Sequence, residues 1–252
     1  MCLIVFAWNE HPDYRLILAA NRDEFHARPT QDAHWWPDQP DILAGRDLQA
    51  GGSWLALGKT GRFATITNYR EISFTKGNYR SRGELVTRFV SGSEDPSTYS
   101  RGIDGADYAG FNLLSANLNH ESPALTYVSN REDPLTDLEP GVYGLSNASL
   151  DTPWAKLTRS KQRLGDLINE NNINETSLMR MLGNREIAKE DVDTEHLSIA
   201  QARAITAPFI VTEKYGTRCS TTLLWHNSGK LEFTERRFDA VGKKTGQSRF
   251  TF

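Results

Sequence analysis

Cysteine is nearly absent from this chain. Cys2 and Cys219 are the only two in 252 residues, too few for a disulfide framework and without the paired spacing of a zinc site. Long apolar runs are missing too: none approaches the roughly 20 residues that cross a bilayer as a helix. The stretch from Met1 to Trp8 has neither a basic flank nor a small-residue cleavage site, so a cytoplasmic chain is expected. Positive charge is also short, with a formal net charge of −3 and no basic run, which argues against a nucleic-acid partner. The histidines His11, His26, His34, His120, His196 and His226 show no metal spacing. Ala50-Gly51-Gly52-Ser53 lacks the Lys and helix of a phosphate loop and reads as a turn. What is there is 38% hydrophobic, 24% charged and 10% aromatic residues, enough to bury a core. With no repeat, low-complexity tract or linker, one domain over residues 1–252 is expected.

The first 20 residues read as a hairpin. Cys2 to Trp8 is an almost unbroken apolar run, Asn9 to Asp13 is turn-rich with Pro12, and Tyr14 to Ala20 is apolar again, the pattern of strands covered on both faces. A second hairpin is expected over Trp54 to Leu57 and Phe63 to Thr67, with Gly58 to Gly61 as its turn. Ser81-Arg82-Gly83-Glu84 has capping-box spacing ahead of an apolar helical stripe, Leu85, Val86, Phe89 and Val90. Thr152 as N-cap and Pro153 at the first helical position announce a second helix, in whose stripe Lys161 is an interruption. A third covers Glu175 to Leu182. Further strands are expected at Phe111 to Ala116, Leu125 to Asn130, Val142 to Leu145, Thr221 to His226 and Leu231 to Phe238. Trp35-Trp36-Pro37 has two readings, the lining of a pocket mouth or a plain aromatic surface loop, and the acidic stretch 183–196 reads as mobile surface. The element order favours layered α+β with mainly antiparallel sheets over a βαβ repeat.

Cys2 stands out chemically. Removal of Met1 before a small residue would leave one residue with both a thiol and an α-amine, whose ordinary pKa values, about 8.5 and about 7.7–8.0, let the amine serve as base for its own side chain. If the hairpin turns on His11, antiparallel pairing puts Cys2 opposite Ala20, with Asn21, Arg22 and Asp23 just beyond. Arg22 would then lower the thiol pKa as a nearby cation, and Asp23 could orient the α-ammonium. The competing reading is that Cys2 is a small buried hydrophobe and Arg22–Asp23 a structural ion pair. Cys219, at the start of an apolar strand, reads as packing.

Asn21-Arg22-Asp23-Glu24 after a Cys2 hairpin resembles the signature of the NRDE family, also called the transport and Golgi organisation protein 2 family. The resemblance runs through Ile42-Leu43-Ala44-Gly45-Arg46-Asp47-Leu48, Gly51-Gly52-Ser53-Trp54, Gly61-Arg62-Phe63-Ala64, Thr67-Asn68-Tyr69-Arg70, Gly110-Phe111-Asn112-Leu113, Gly144-Leu145-Ser146-Asn147 and Gly216-Thr217-Arg218-Cys219-Ser220-Thr221. That family is similar at its N-terminus to N-terminal-nucleophile hydrolases of the choloylglycine hydrolase and penicillin V acylase kind. The resemblance implies a four-layer αββα sandwich and a site of Cys2, Arg22, Asp23, Asn68, Asn147 and Arg218. Arg22 matches by type with the order of Arg and Asn changed, and Asn68 and Asn147 resemble the two Asn that bind or orient the oxyanion. It further implies an amidohydrolase for a small-molecule acyl substrate, needing no cofactor. The family's association with secretory-pathway organisation, lipid homeostasis and haem trafficking implies an alternative: a non-catalytic carrier of haem or an acyl-lipid, with His26 and His34 the candidate haem contacts. Intact fold does not itself establish the reaction.

Overall fold

A computed structural model describes residues 2–70, 77–118, 123–132, 135–188 and 197–252. Met1, His120, His196 and residues 189–196 of the acidic stretch lie outside them. The described strands are β1 (Cys2–Trp8), β2 (Tyr14–Phe25), β3 (Thr30–Trp36), β4 (Gln39–Asp47), β5 (Leu55–Gly58), β6 (Arg62–Asn68), β7 (Phe111–Asn117), β8 (Leu125–Ser129), β9 (Thr136–Asp137), β10 (Gly141–Leu145), β11 (Tyr215–His226), β12 (Leu231–Phe238) and β13 (Lys244–Thr251). The helices are α1 (Gly83–Ser91), α2 (Pro96–Arg101), α3 (Ala155–Asn169), α4 (Glu175–Leu182) and α5 (Ile199–Ala204).

The chain forms two compact units, one of Met1–Ala27, Pro140–Ser146 and Leu150–Phe252, the other of Arg28–Glu139 and Asn147–Ser149. The first holds an antiparallel sheet in the order β10-β1-β2-β11-β12-β13. Leu3, Val5 and Ala7 of β1 and Ile17 and Ala19 of β2 alternate onto one face, where Leu157, Leu164 and Leu167 of α3 and Leu178 and Leu182 of α4 cover them. Each such buried aliphatic side chain contributes about 1.5–3 kcal/mol, so this interface is a major contribution to the unit's stability. The second unit holds a sheet in the order β3-β4-β5-β6-β7-β8-β9. Its Ile42, Ala44, Ala56, Ala64, Ile66 and Phe111 pack with Leu85, Val86, Phe89 and Val90 of α1.

Several local expectations are corrected. The hairpin pairs Cys2 with Arg22 and Ile4 with Ala20, a two-residue shift from the expected register, because the loop closes as Asn9 N–H donates to Arg15 O at 2.8 Å with Asn9 at φ 51. A shift of two preserves which side chains share a face. The Ser81 capping box does not form: Arg82 precedes α1 in helical conformation with no side-chain cap, and Glu84 accepts from Tyr108 Oη at 2.5 Å instead. A Cβ on Gly52 would stand 2.5 Å from the Gly83 carbonyl carbon, so close backbone approach, rather than a cap, sets where α1 starts. α3 begins two residues after Pro153, with Trp154 at its N-cap position. Trp36 is no surface loop residue: it is 1% exposed, with Nε1 donating to Ala44 O at 3.0 Å.

Candidate functional site

The sequence Asn21-Arg22-Asp23-Glu24 lies inside β2, so alternation divides it between the two faces of the sheet. Asn21 and Asp23 fall on the helix-covered face with Ile17 and Ala19. Asn21 Nδ2 donates to Leu182 O (2.9 Å) and Pro208 O (2.8 Å), and its Oδ1 accepts from Ser220 Oγ at 2.6 Å. These bonds tie β2 to the end of α4, to the segment at Pro208 and to β11, which is a structural role. Arg22 and Glu24 face the other way, with Arg22 Nη2 3.9 Å from Glu24 Oε2.

Arg22 is the centre of a row. Cys2 is its partner on β1 and Cys219 its partner on β11, and residues paired across strands share a face. Two strand spacings separate the cysteines by about 9–10 Å, beyond the reach of a disulfide, and neither is in one. Burial drives the Cys219 thiol well above its ordinary range, with Glu235 reinforcing the shift, which makes it an inert packing group. Burial also raises the Cys2 thiol; Asp23's charge adds to this, while the Asp23 backbone N–H and the Arg22 cation oppose it. Arg22 therefore acts in the expected direction, while burial outweighs it and leaves the thiol raised.

Asp23 is 2% exposed. Its Oδ1 accepts from Thr217 Oγ1 at 2.6 Å, whose oxygen accepts from Ile210 N–H at 2.9 Å, while Tyr215 Oη donates to the Asp23 carbonyl at 2.8 Å. Burial raises the carboxyl's pKa against the opposing effects of Lys156, Thr217 and Arg22. Arg218 is the extra residue of a β-bulge, since Thr217 pairs with Asp23 and Cys219 with Arg22. Bulges re-aim side chains beside functional sites, and here the guanidinium donates from Nη1 to Phe25 O (3.0 Å) and His26 O (3.1 Å). Ser146 Oγ, at the end of β10, donates to the Cys2 carbonyl at 2.7 Å. Cys2, Arg22, Asp23 and Arg218 thus all belong to the first unit, with Asp23 on the helix-covered face and Cys2 and Arg22 on the other.

Asn68 and Asn147 belong to the second unit. Asn68 ends β6 with its side chain exposed, and buried Asn147 donates from Nδ2 to the Asn68 carbonyl at 2.7 Å. Arg70 N–H in turn donates to the Asn147 carbonyl at 2.7 Å. His26 Nε2 lies 3.0 Å from Thr212 O and His34 Nδ1 2.7 Å from Asp32 O. Among the described residues no group of three His, Cys, Asp or Glu is arranged to hold a metal ion.

Lys156 escaped the sequence reading, which singled out Lys161 instead. Lys161 is part-exposed and pairs with Asp151 at 2.7 Å, whereas Lys156 is 2% exposed. The signal was its phase: Lys156, Ser160, Leu164 and Leu167 recur at helical spacing, and all four are buried.

The sequence pattern of the family "Transport and Golgi organisation 2" matches residues 1–240. The human Transport and Golgi organization protein 2 homolog is 37% identical over 258 residues, covering 94% of this chain and 92% of its own. The Drosophila melanogaster Transport and Golgi organization protein 2 is 28% identical, covering 93% and 91%. Among solved structures, the Caenorhabditis elegans ortholog of N-acylethanolamine-hydrolyzing acid amidase superposes with a TM-score of 0.50 at 11% identity, covering 88% of this chain and 92% of that one. At that identity the likeness speaks for the fold: α+β with antiparallel sheets, of the N-terminal-nucleophile hydrolase type, as expected. Among the described residues no helix is long and apolar enough to cross a membrane.

Proposed function

We propose, from the premise that this chain belongs to the Transport and Golgi organisation 2 family, that it is a cysteine-dependent amidohydrolase for a small acyl-amide substrate. The observation that carries the reading is the placement of Cys2: a strand-end thiol opposite Arg22, with the Asp23 backbone N–H against the thiol. Its raised pKa keeps the resting group a thiol, so attack needs a base. After loss of Met1 the Cys2 α-amine supplies one, oriented by the Asp23 carboxylate. The amine takes the thiol proton, the sulfur forms a bond to the acyl carbon, and the C–N bond breaks as that proton passes to the departing amine. Water then attacks the thioester, releasing the carboxylic acid and restoring the thiol. Arg22, across the strand pair, favours the transient thiolate.

Release of amine from a panel of N-acyl amides of differing chain length tests this. Cys2→Ala should lower turnover by ~10³-fold or more, and an N-terminal extension that blocks Met1 removal should do the same. Activity surviving both changes would exclude the mechanism.

A further inference from the structure

The Lys156 side chain is buried and its Nζ meets no hydrogen-bond acceptor among the described residues; its near neighbour on α3 is the Trp154 ring, with the centroid 5.9 Å from Nζ. Burying a charge costs several kcal/mol unless an opposite charge is close, so its tolerance requires a partner. The helix is tightly seated there: a Cβ on Gly144 would lie 2.7 Å from Leu157 Cγ and 2.9 Å from its Cδ1. Gly144 pairs with Val5, and two residues on, Ser146 holds the Cys2 carbonyl. The first turn of α3, which carries Lys156, therefore sits against the strand ends that carry the thiol. The charges acting on Lys156 are Asp23 from β2 and Cys2 from β1, both opposing the downward push of burial. Reciprocally, Lys156 is foremost among the groups that favour the ionised form of Asp23, ahead of Thr217 and Arg22.

We infer that Lys156 is a positioning residue of the thiol site, whose buried positive charge balances the Asp23 carboxylate and so keeps it able to orient the Cys2 amine. This rests on the reading of Cys2 as nucleophile, but its geometry does not depend on turnover. Lys156 touches neither the scissile bond nor the sulfur; it acts through Asp23.

The test is a carbon-13 NMR titration of aspartate-labelled protein, with Asp23→Asn used to assign the Asp23 carboxyl signal. In Lys156→Met the Asp23 midpoint should rise by at least about one pH unit, while Lys156→Arg should hold it near the wild-type value. An unchanged midpoint in Lys156→Met overturns the inference. Should that variant fail to fold, Lys156→Gln is read by the same criterion. The outcome separates from that of the hydrolase reading: a shifted midpoint with turnover surviving Cys2→Ala refutes only the nucleophile, and an unshifted one with turnover abolished refutes only Lys156.

Discussion

At the residue scale, Asp23 carries a cost that depends on pH. Its carboxyl pKa is raised in the folded chain, chiefly by burial, so between the ordinary carboxylate range and the folded value the native state holds a proton that the unfolded state has lost. Stability from this group is fully present below that window and declines as pH rises through it. Asp47 and Glu175 slope the other way: Arg28 holds Asp47 low, and Arg249 does so for Glu175, each against burial. The difference between wild type and Asp23→Asn isolates the term: from pH 4 upward, thermal melts of the wild type should lose ground relative to Asp23→Asn. A difference independent of pH would contradict the buried carboxyl. Asn21, two residues away on the same face, tests packing instead. Asn21→Leu would strand the Leu182 and Pro208 carbonyls and the Ser220 hydroxyl, so urea denaturation should show a loss of about 2–4 kcal/mol.

At the element scale, β2 explains why the motif was readable and its division of labour was not. The residues Asn21 to Glu24 identified the neighbourhood of Cys2, but which of them face the thiol depends on the strand running unbroken to Phe25, whereas the apolar pattern ends at Ala20. β3 and β4 were missed for a related reason. Gln31, Asp32, Pro37 and Pro40 are poor strand formers, and cross-strand pairing supplies the order that propensity withholds. Lys156 shows the same limit in a helix: its phase was legible, its charge made it look solvated, and the partner charge comes from a strand more than 130 positions earlier. The seat of α3 on Gly144 is directly testable. Gly144→Ala should cost about 1–3 kcal/mol by overpacking, and less in a Leu157→Ala background where the clashing atoms are gone. A double-mutant cycle by urea denaturation measures that coupling, and strict additivity would show that α3 is not held there.

At the scale of the whole chain, strand composition was largely legible and strand order was not. β1 lies between β2, its hairpin neighbour, and β10, whose Leu145 pairs with Ile4; β2 in turn pairs with β11, bringing Ser220 to Asn21. Such distant pairings are choices among apolar strands that local pattern does not rank. β13 went unread because its residues, Lys244 to Thr251, are mostly polar and half-exposed or exposed. It is an edge strand, and it begins beyond residue 240, where the family match ends. Beyond its ladder with β12, its attachments include the Phe250–Phe233 ring contact with centroids 6.2 Å apart and the Arg249–Glu175 ion pair at 2.7 Å, both remote in register from Cys2. Ending the chain after residue 240 should therefore cost roughly 2–4 kcal/mol, the scale of one or two uncovered apolar side chains, while a cooperative melt and Cys2 alkylation persist. The bared β12 edge should promote self-association, partly checked by Arg236 and Arg237. Sedimentation and iodoacetamide labelling of the shortened chain read both effects, and loss of thiol reactivity in a chain that still melts cooperatively would mean that β13 supports the site across the intervening strands.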